Sequence, residues 1–210
     1  MALFAKRPIT DSAPSYSIGA NKTMLVIGLG NPGKQYAGSR HNIGFAVLDN
    51  FAKDNGFPGW IAKGDLKCQL SIHTLGETRV ILAKPQTFMN HSGQAVSAVA
   101  RFYRVYNPDT LAVYDELALQ FGQIRARLGG SDAGHNGVKS LIAHLGDDFG
   151  RLRIGIGSEI ANKTDDAGFV LGKFSRAEKE HLPKIVSEAS AMLTEYVFSG
   201  QLPHDTRSVP

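Results

Sequence analysis

Cysteine is nearly absent: Cys68 is the single thiol in 210 residues. One thiol cannot close an internal disulfide, and with no second cysteine beside it a cysteine-rich zinc site is excluded. Flanked by Leu66 and Leu70, it reads as a small apolar strand side chain. Long hydrophobic runs are absent as well. No stretch approaches the ~18 apolar residues of a membrane span, and the N-terminus lacks the apolar core of a secretory signal. No serine sits in a G-x-S-x-G turn, so a serine nucleophile has no recognisable setting. Neither sign of charge dominates. Lysine and arginine number 23 against 19 acids, a net charge of +4 that permits a polyanionic partner without requiring one. These absences leave a globular protein of a reducing compartment, and we expect it in the cytoplasm.

What is present suits one domain with a substantial core: 42% of residues are hydrophobic and 20% charged. Residues 1–23 carry Pro8, Pro14 and several serines without apolar periodicity and read as a disordered leader. The patterned block runs over 24–199, and 200–210 reads as a flexible tail. Residues 24–33 take a hydrophobic strand into a turn, M-L-V-I-G-L-G-N-P-G. Gly28, Gly30 and Gly33 satisfy G-x-G-x-x-G, the dinucleotide fingerprint. In that fingerprint the third glycine lies in the first turn of a helix whose N-terminus holds the pyrophosphate. Here Asn31-Pro32-Gly33 is a turn tripeptide, and 34–40 lack apolar residues at helical spacing. The next helix opens near His41 instead, with Ser39 or Asn42 available as its cap.

Short apolar-rich runs bounded by turn residues predict strands at 24–29, 67–75, 79–84, 110–114, 123–128 and 151–157. The 3.6-residue period predicts helices at 41–55, 92–106, 138–145 and 175–198. Gly76-Glu77 reads as a hairpin turn. Ser175 with Glu178 forms a capping-box pattern, and Gly200 sits at a C-cap position. The alternation implies an α/β single-domain layered fold with a twisted mixed β-sheet flanked by helices.

In such sheets ligands bind outside the carboxyl ends of the strands. That edge displays Asn31 and His41 after the first strand, Met89 and Asn90 after the strand ending at Lys84, and Asp115-Glu116 after 110–114. The loop 129–137 adds His135 and Asn136. Amide side chains suit the gripping of peptide or ester carbonyls. A carboxylate fixes an imidazole's tautomer and lets it draw a proton from water, so His41 with Asp115 reads as a base and its orienter. Without a serine or cysteine motif, water attacks directly. Asp115-Glu116 is weak as a metal pair because no histidine stands at ligand spacing, and Glu116 reads as a solvated or capping acid. His135 reads as a support of its loop. The glycines of 129–137 with Arg127 beside them suit a phosphate-approaching nest.

These segments in their order resemble the bacterial-type peptidyl-tRNA hydrolase family. They are 26–33 (V-I-G-L-G-N-P-G), Tyr36 with 40–45 (R-H-N-I-G-F), 84–93 (K-P-Q-T-F-M-N-H-S-G) and 115–117 (D-E-L). Next come 134–137 (G-H-N-G), 151–157 (R-L-R-I-G-I-G) and 169–175 (F-V-L-G-K-F-S). The set covers roughly residues 24–199. The resemblance implies hydrolysis of the ester joining a peptide to the 3′-terminal ribose of tRNA, which recycles tRNA from abandoned translation. It makes His41 the general base, Asp115 its orienter and Asn31 a catalytic partner. Asn90 and Asn136 hold peptide and ester carbonyls, with His135 on the same substrate side. Tyr36 and Met89 shape the channel, and Arg127 and Arg153 face the tRNA 5′-phosphate region. It implies no metal, no cofactor and a monomer, with the acceptor stem and 3′ end of peptidyl-tRNA as partner. A non-catalytic tRNA-binding module on the same fold is the alternative. Two departures stand out: Ala118 where a second aspartate is frequent, and Asp132-Ala133 where glycines are frequent.

Overall fold

The computed structural model describes residues 22–158, 166–203 and 205–209. Eight strands form one sheet: β1 (Lys22–Gly28), β2 (Ile61–Lys63), β3 (Cys68–Leu75), β4 (Thr78–Pro85), β5 (Thr110–Gln120), β6 (Gln123–Leu128), β7 (Gly150–Gly157) and β8 (Thr206–Ser208). Their spatial order is β2-β3-β4-β1-β5-β7-β6-β8. The central strands β4, β1, β5 and β7 run parallel, while β3 on one side and β6 on the other are antiparallel. The mixed α/β sheet expected from the sequence is therefore the one that forms.

β1 is apolar without alternation because both its faces are buried. Met24 and Val26 point into one core layer, Leu25, Ile27 and Leu29 into the other. The first layer is closed by α1 (Ile43–Asp54) and α5 (Arg176–Ser199), which contribute Val47, Leu48, Phe51, Ile185, Ala189 and Leu193. The second is closed by α2 (Ser92–Tyr103) and α3 (Asn136–Leu145) through Val96, Val99, Val138 and Leu141. Cys68 is buried in this second layer, and burial pushes its thiol up to about 12, which leaves it unreactive. Helix α5 has the capping box at Ser175 and Glu178 and ends on Gly200 in the left-handed region.

Several boundaries move for identifiable reasons. β5 continues past Tyr114 to Gln120, because Asp115 and Glu116 pair with Ile154 and Gly155 of β7 inside the sheet. Two adjacent carboxylates read as a strand end only because buried acids are rare. β2 is exposed at all three residues and β8 at two of three, so neither alternates in hydrophobicity. β8 draws part of the expected flexible tail into the sheet, where Arg207 pairs with Glu188 at 2.8 Å and Glu195 at 2.5 Å. Helix α4 (Asp166–Leu171) is too short to show a period. Residues 1–21 of the expected leader lie outside the described residues.

Neither expected cap serves α1. The helix follows a 3-10 turn, Arg40–Asn42, and neither Ser39 nor Asn42 makes a side-chain cap bond. The glycines of the first turn serve packing. A Cβ on Gly28 would stand 2.6 Å from the Gly44 carbonyl oxygen, so β1 and α1 meet backbone to backbone. The residues after Gly33 form only a 3-10 turn, Lys34–Tyr36. Gly33 opens that 3-10 turn and not the α-helix of the dinucleotide fingerprint, in keeping with rejection of the dinucleotide reading.

Candidate active site

Asn31 sits where β1 gives way to the loop and is 6% exposed. Its backbone is gripped from both sides by Asn42: the Asn31 N–H donates to Asn42 Oδ1 at 2.9 Å, and Asn42 Nδ2 donates to the Asn31 carbonyl at 2.9 Å. The Asn31 side-chain oxygen accepts from the Met89 N–H at 2.8 Å. One asparagine thus fixes the loop after β1 and the 3-10 turn Met89–His91 after β4. Asn42 was legible only as a helix cap, and its role as the clamp on Asn31 is new. Met89 is buried with its sulfur against Gly137 of α3, where any Cβ would overlap it. That contact explains the last glycine of G-H-N-G. Asn90 and Asn136 are exposed, and Tyr36, half-buried, meets exposed Phe88 edge-on with centroids 6.3 Å apart.

The chemistry centres on Asp115, which is 2% exposed. His41 Nδ1 lies 2.9 Å from Oδ1 and 3.0 Å from Oδ2, and His135 Nε2 lies 3.1 Å from Oδ1. The tautomers follow from the surroundings. His135 Nδ1 accepts two backbone N–H groups at the start of α3, from Gly137 at 3.1 Å and Val138 at 3.2 Å. Its proton is therefore on Nε2 and is donated to Asp115. His41 likewise donates from Nδ1, which leaves Nε2 with a lone pair. Burial alone pushes the Asp115 carboxyl up. The two imidazoles, through charge and hydrogen bonds, more than reverse this and hold it far below the usual carboxylate range. The sequence identified His135 as a loop support; it is that, and a second donor to Asp115 as well.

His41, Asp115 and His135 place ligand atoms within 4.8 Å of one another, a spacing that invites a metal. The cap on α3 argues against one. Coordination through His135 Nε2 would move the proton to Nδ1, where it would face two N–H donors. The three groups form a hydrogen-bonded relay through Asp115.

A cleft of about 260 Å³ opens over this relay, lined by His41, Asp115, Glu116, the loop Ala133–Asn136, and Ala167 and Val170 of α4. Asn31 lines a neighbouring cleft of about 350 Å³ with Asn42, Gln86 and Lys84. So Asn136 shares the cleft of His41, whereas Asn31 and Asn42 line the second cleft. Glu116 is buried and pairs with Arg153 at 3.5 Å, contrary to its reading as a solvated acid.

On the adjoining sheet face Arg125 stands opposite Arg153 and Arg127 opposite Arg151. Like charges directly opposite one another destabilise a sheet, so each inner arginine needs other partners. Arg151, 1% exposed, donates to the carbonyls of Gly130 and, at 2.5 Å, Ser131, and thereby shapes the loop of the cleft. Arg153 is turned inward to Glu116, whereas Arg125 and Arg127 are exposed.

A buried histidine–carboxylate pair under a cleft at the carboxyl edge of a mixed α/β sheet is the apparatus of a hydrolytic enzyme. The family model described as peptidyl-tRNA hydrolase matches residues 25–208. The chain belongs to the peptidyl-tRNA hydrolase family. It is 45% identical over 172 residues to a Ruegeria protein named peptidyl-tRNA hydrolase, covering 80% of this chain and 68% of that one. A Gloeobacter violaceus protein of the same name is 50% identical over 163 residues, 77% of this chain and 81% of the other. The crystal structure of peptidyl-tRNA hydrolase from Acinetobacter baumannii superposes with a TM-score of 0.78 at 34% identity, covering 89% of this chain and 93% of that one.

Proposed function

We propose that this chain hydrolyses peptidyl-tRNA by direct attack of water activated by His41. The observation that carries the reading is the Nδ1–H bond from His41 to Asp115, which leaves Nε2 free as a base beside the cleft. His41 Nε2 takes a proton as the water oxygen attacks the ester carbonyl, and Asp115 stabilises the imidazolium that forms. The ester C–O bond then breaks, the ribose oxygen receives a proton, and a peptide carboxylate and free tRNA leave. Exposed amides of Asn90 and Asn136, with Nδ2 of Asn31, hold peptide and ester carbonyls and the developing oxyanion. Asn31 also holds Met89 in place, and Tyr36 with Met89 borders the channel. His135 keeps Asp115 charged and the loop Ala133–Asn136 in place.

Arg127 makes the direct phosphate contact, and Arg153 adds charge from beneath, tied to Glu116. The reaction needs no metal and no cofactor, in line with the tautomer of His135. Among the described residues no helix is long and apolar enough to cross a membrane. The chain works as a cytoplasmic monomer on the acceptor stem and 3′ end of its substrate, with 24–199 as the catalytic block. The purified chain in EDTA is expected to release tRNA with a free 3′ end from N-acetyl-aminoacyl-tRNA. Tight tRNA binding without cleavage would return the non-catalytic binding module.

A further inference from the structure

We propose that Arg40 is a positioning residue for His41, fastening the turn that bears the base to the α4–α5 wall of the cleft. The inference rests on the reading of His41 as base. Arg40 is 8% exposed and carries a permanent charge, and a buried cation is unfavourable unless it is paired; both terminal nitrogens are, while Nε has no hydrogen-bond partner among the described residues. Its partners all come from 169–178, more than 120 residues along the chain. Nη2 pairs with Glu178 Oε2 at 2.7 Å, and Nη1 donates to the Lys173 carbonyl at 2.9 Å. The guanidinium carbon lies 4.2 Å from the centre of the Phe169 ring and 5.3 Å from that of Phe174. The Arg40 N–H donates to the Gly172 carbonyl at 3.0 Å, and Ser39 bridges to Lys173.

Two features separate this from ordinary structural bonding. Helix α5 does not need Arg40 to begin, because Ser175 and Glu178 already complete their reciprocal cap at 2.6 and 3.2 Å. Its remaining face is held by Ile185, Ala189 and Leu193 in the core. What Arg40 joins are two walls of one cleft: its chain neighbour His41 on one side, and on the other α4, whose Ala167 and Val170 face the relay. Only arginine has the shape for this. Its planar fork reaches a carboxylate and a carbonyl together while its face covers a ring, and lysine offers one point charge.

The test is steady-state hydrolysis of N-acetyl-aminoacyl-tRNA by the full chain and by Arg40→Lys and Glu178→Gln, well below the Tm of each. Misplacing a base by about 1 Å lowers the rate on the order of 10²-fold. We therefore expect Arg40→Lys to lower kcat about 10- to 100-fold with KM moved less than about threefold. Glu178→Gln should give a smaller loss in the same direction, and the double variant less than the product of the two. The proton NMR signal of His41 Nδ1–H, which needs no substrate, should shift or broaden in Arg40→Lys. A lowered Tm with kcat and that signal unchanged would reduce Arg40 to a structural role and overturn the proposal. A change confined to KM would overturn it equally. If Arg40→Lys does not fold, Glu178→Gln carries the test. Wild-type turnover in the same assay separates failure here from failure of the hydrolase reading.

Discussion

Asp115→Asn removes one charge at nearly constant volume from a group that is 2% exposed. An amide oxygen at the Oδ1 position can accept from both imidazoles, but the NH₂ at the other position then faces the His41 donor, because both Asp115 oxygens lie within 3.0 Å of His41 Nδ1. Moving the His41 proton to Nε2 relieves that clash and disables the nitrogen that must accept a proton from water. Two losses combine. A hydrogen bond to a charged group is worth about 1.5–3 kcal/mol, or about 10- to 150-fold in rate when it stabilises the imidazolium. The wrong tautomer adds to this, and the total for a disabled base and orienter is about 10²- to 10⁴-fold. KM should move less than about threefold, since Asp115 is buried beneath His41 and His135. Single-turnover release of tRNA under excess enzyme measures the chemical step, with circular dichroism confirming the fold. A rate within about threefold of wild type would refute the relay.

Three further outcomes follow from the same coordinates. Ala133 has φ +49°, a left-handed conformation that disfavours a side chain, so Ala133→Gly should raise stability by about 1 kcal/mol at most; this is a Tm gain of up to about 3 °C by calorimetry. Arg127→Ala should weaken binding of different tRNAs uniformly and reduce the slope of log K against log salt by about 0.9, read by fluorescence anisotropy. The folded-state pKa of Asp115 is depressed, so its charge stabilises the fold above the unfolded carboxyl value of ~3.9 and the contribution is lost as pH falls. Urea unfolding of wild type against Asp115→Asn should therefore show a gap at pH 7 that narrows at pH 3.

The layers were legible because β1 is one continuous apolar run and α1 keeps a helical period, and the strand-end rule found the edge where His41, Asn31 and the loop 129–137 converge. Asp115 was legible as the carboxylate partner of His41, although it lies within β5 and not past its end. What the sequence hid has physical reasons. Exposed β2 and β8 have no alternation to read, and α4 is shorter than two turns. The second bond to Asp115 depends on the orientation of the His135 ring, which is set by two backbone N–H groups of α3. Asn42 looked like a cap because an asparagine before a helix offers the same atoms to either task. The close approach of Gly28 to Gly44 draws β1 and α1 together where Asn42 meets Asn31. The cluster around Arg40 joins residues more than 120 positions apart, and no local pattern announces it; Phe169 and Phe174 of F-V-L-G-K-F-S, with Glu178 just beyond that segment, were its one trace.

The most direct test of the account is the single-turnover rate of ester cleavage by His41→Ala against wild type, on N-acetyl-aminoacyl-tRNA in EDTA. The account predicts rapid cleavage by wild type and a loss of about 10²- to 10⁴-fold in the variant, with tRNA affinity retained. Equal rates for the two proteins would contradict it, and the base would have to be sought elsewhere.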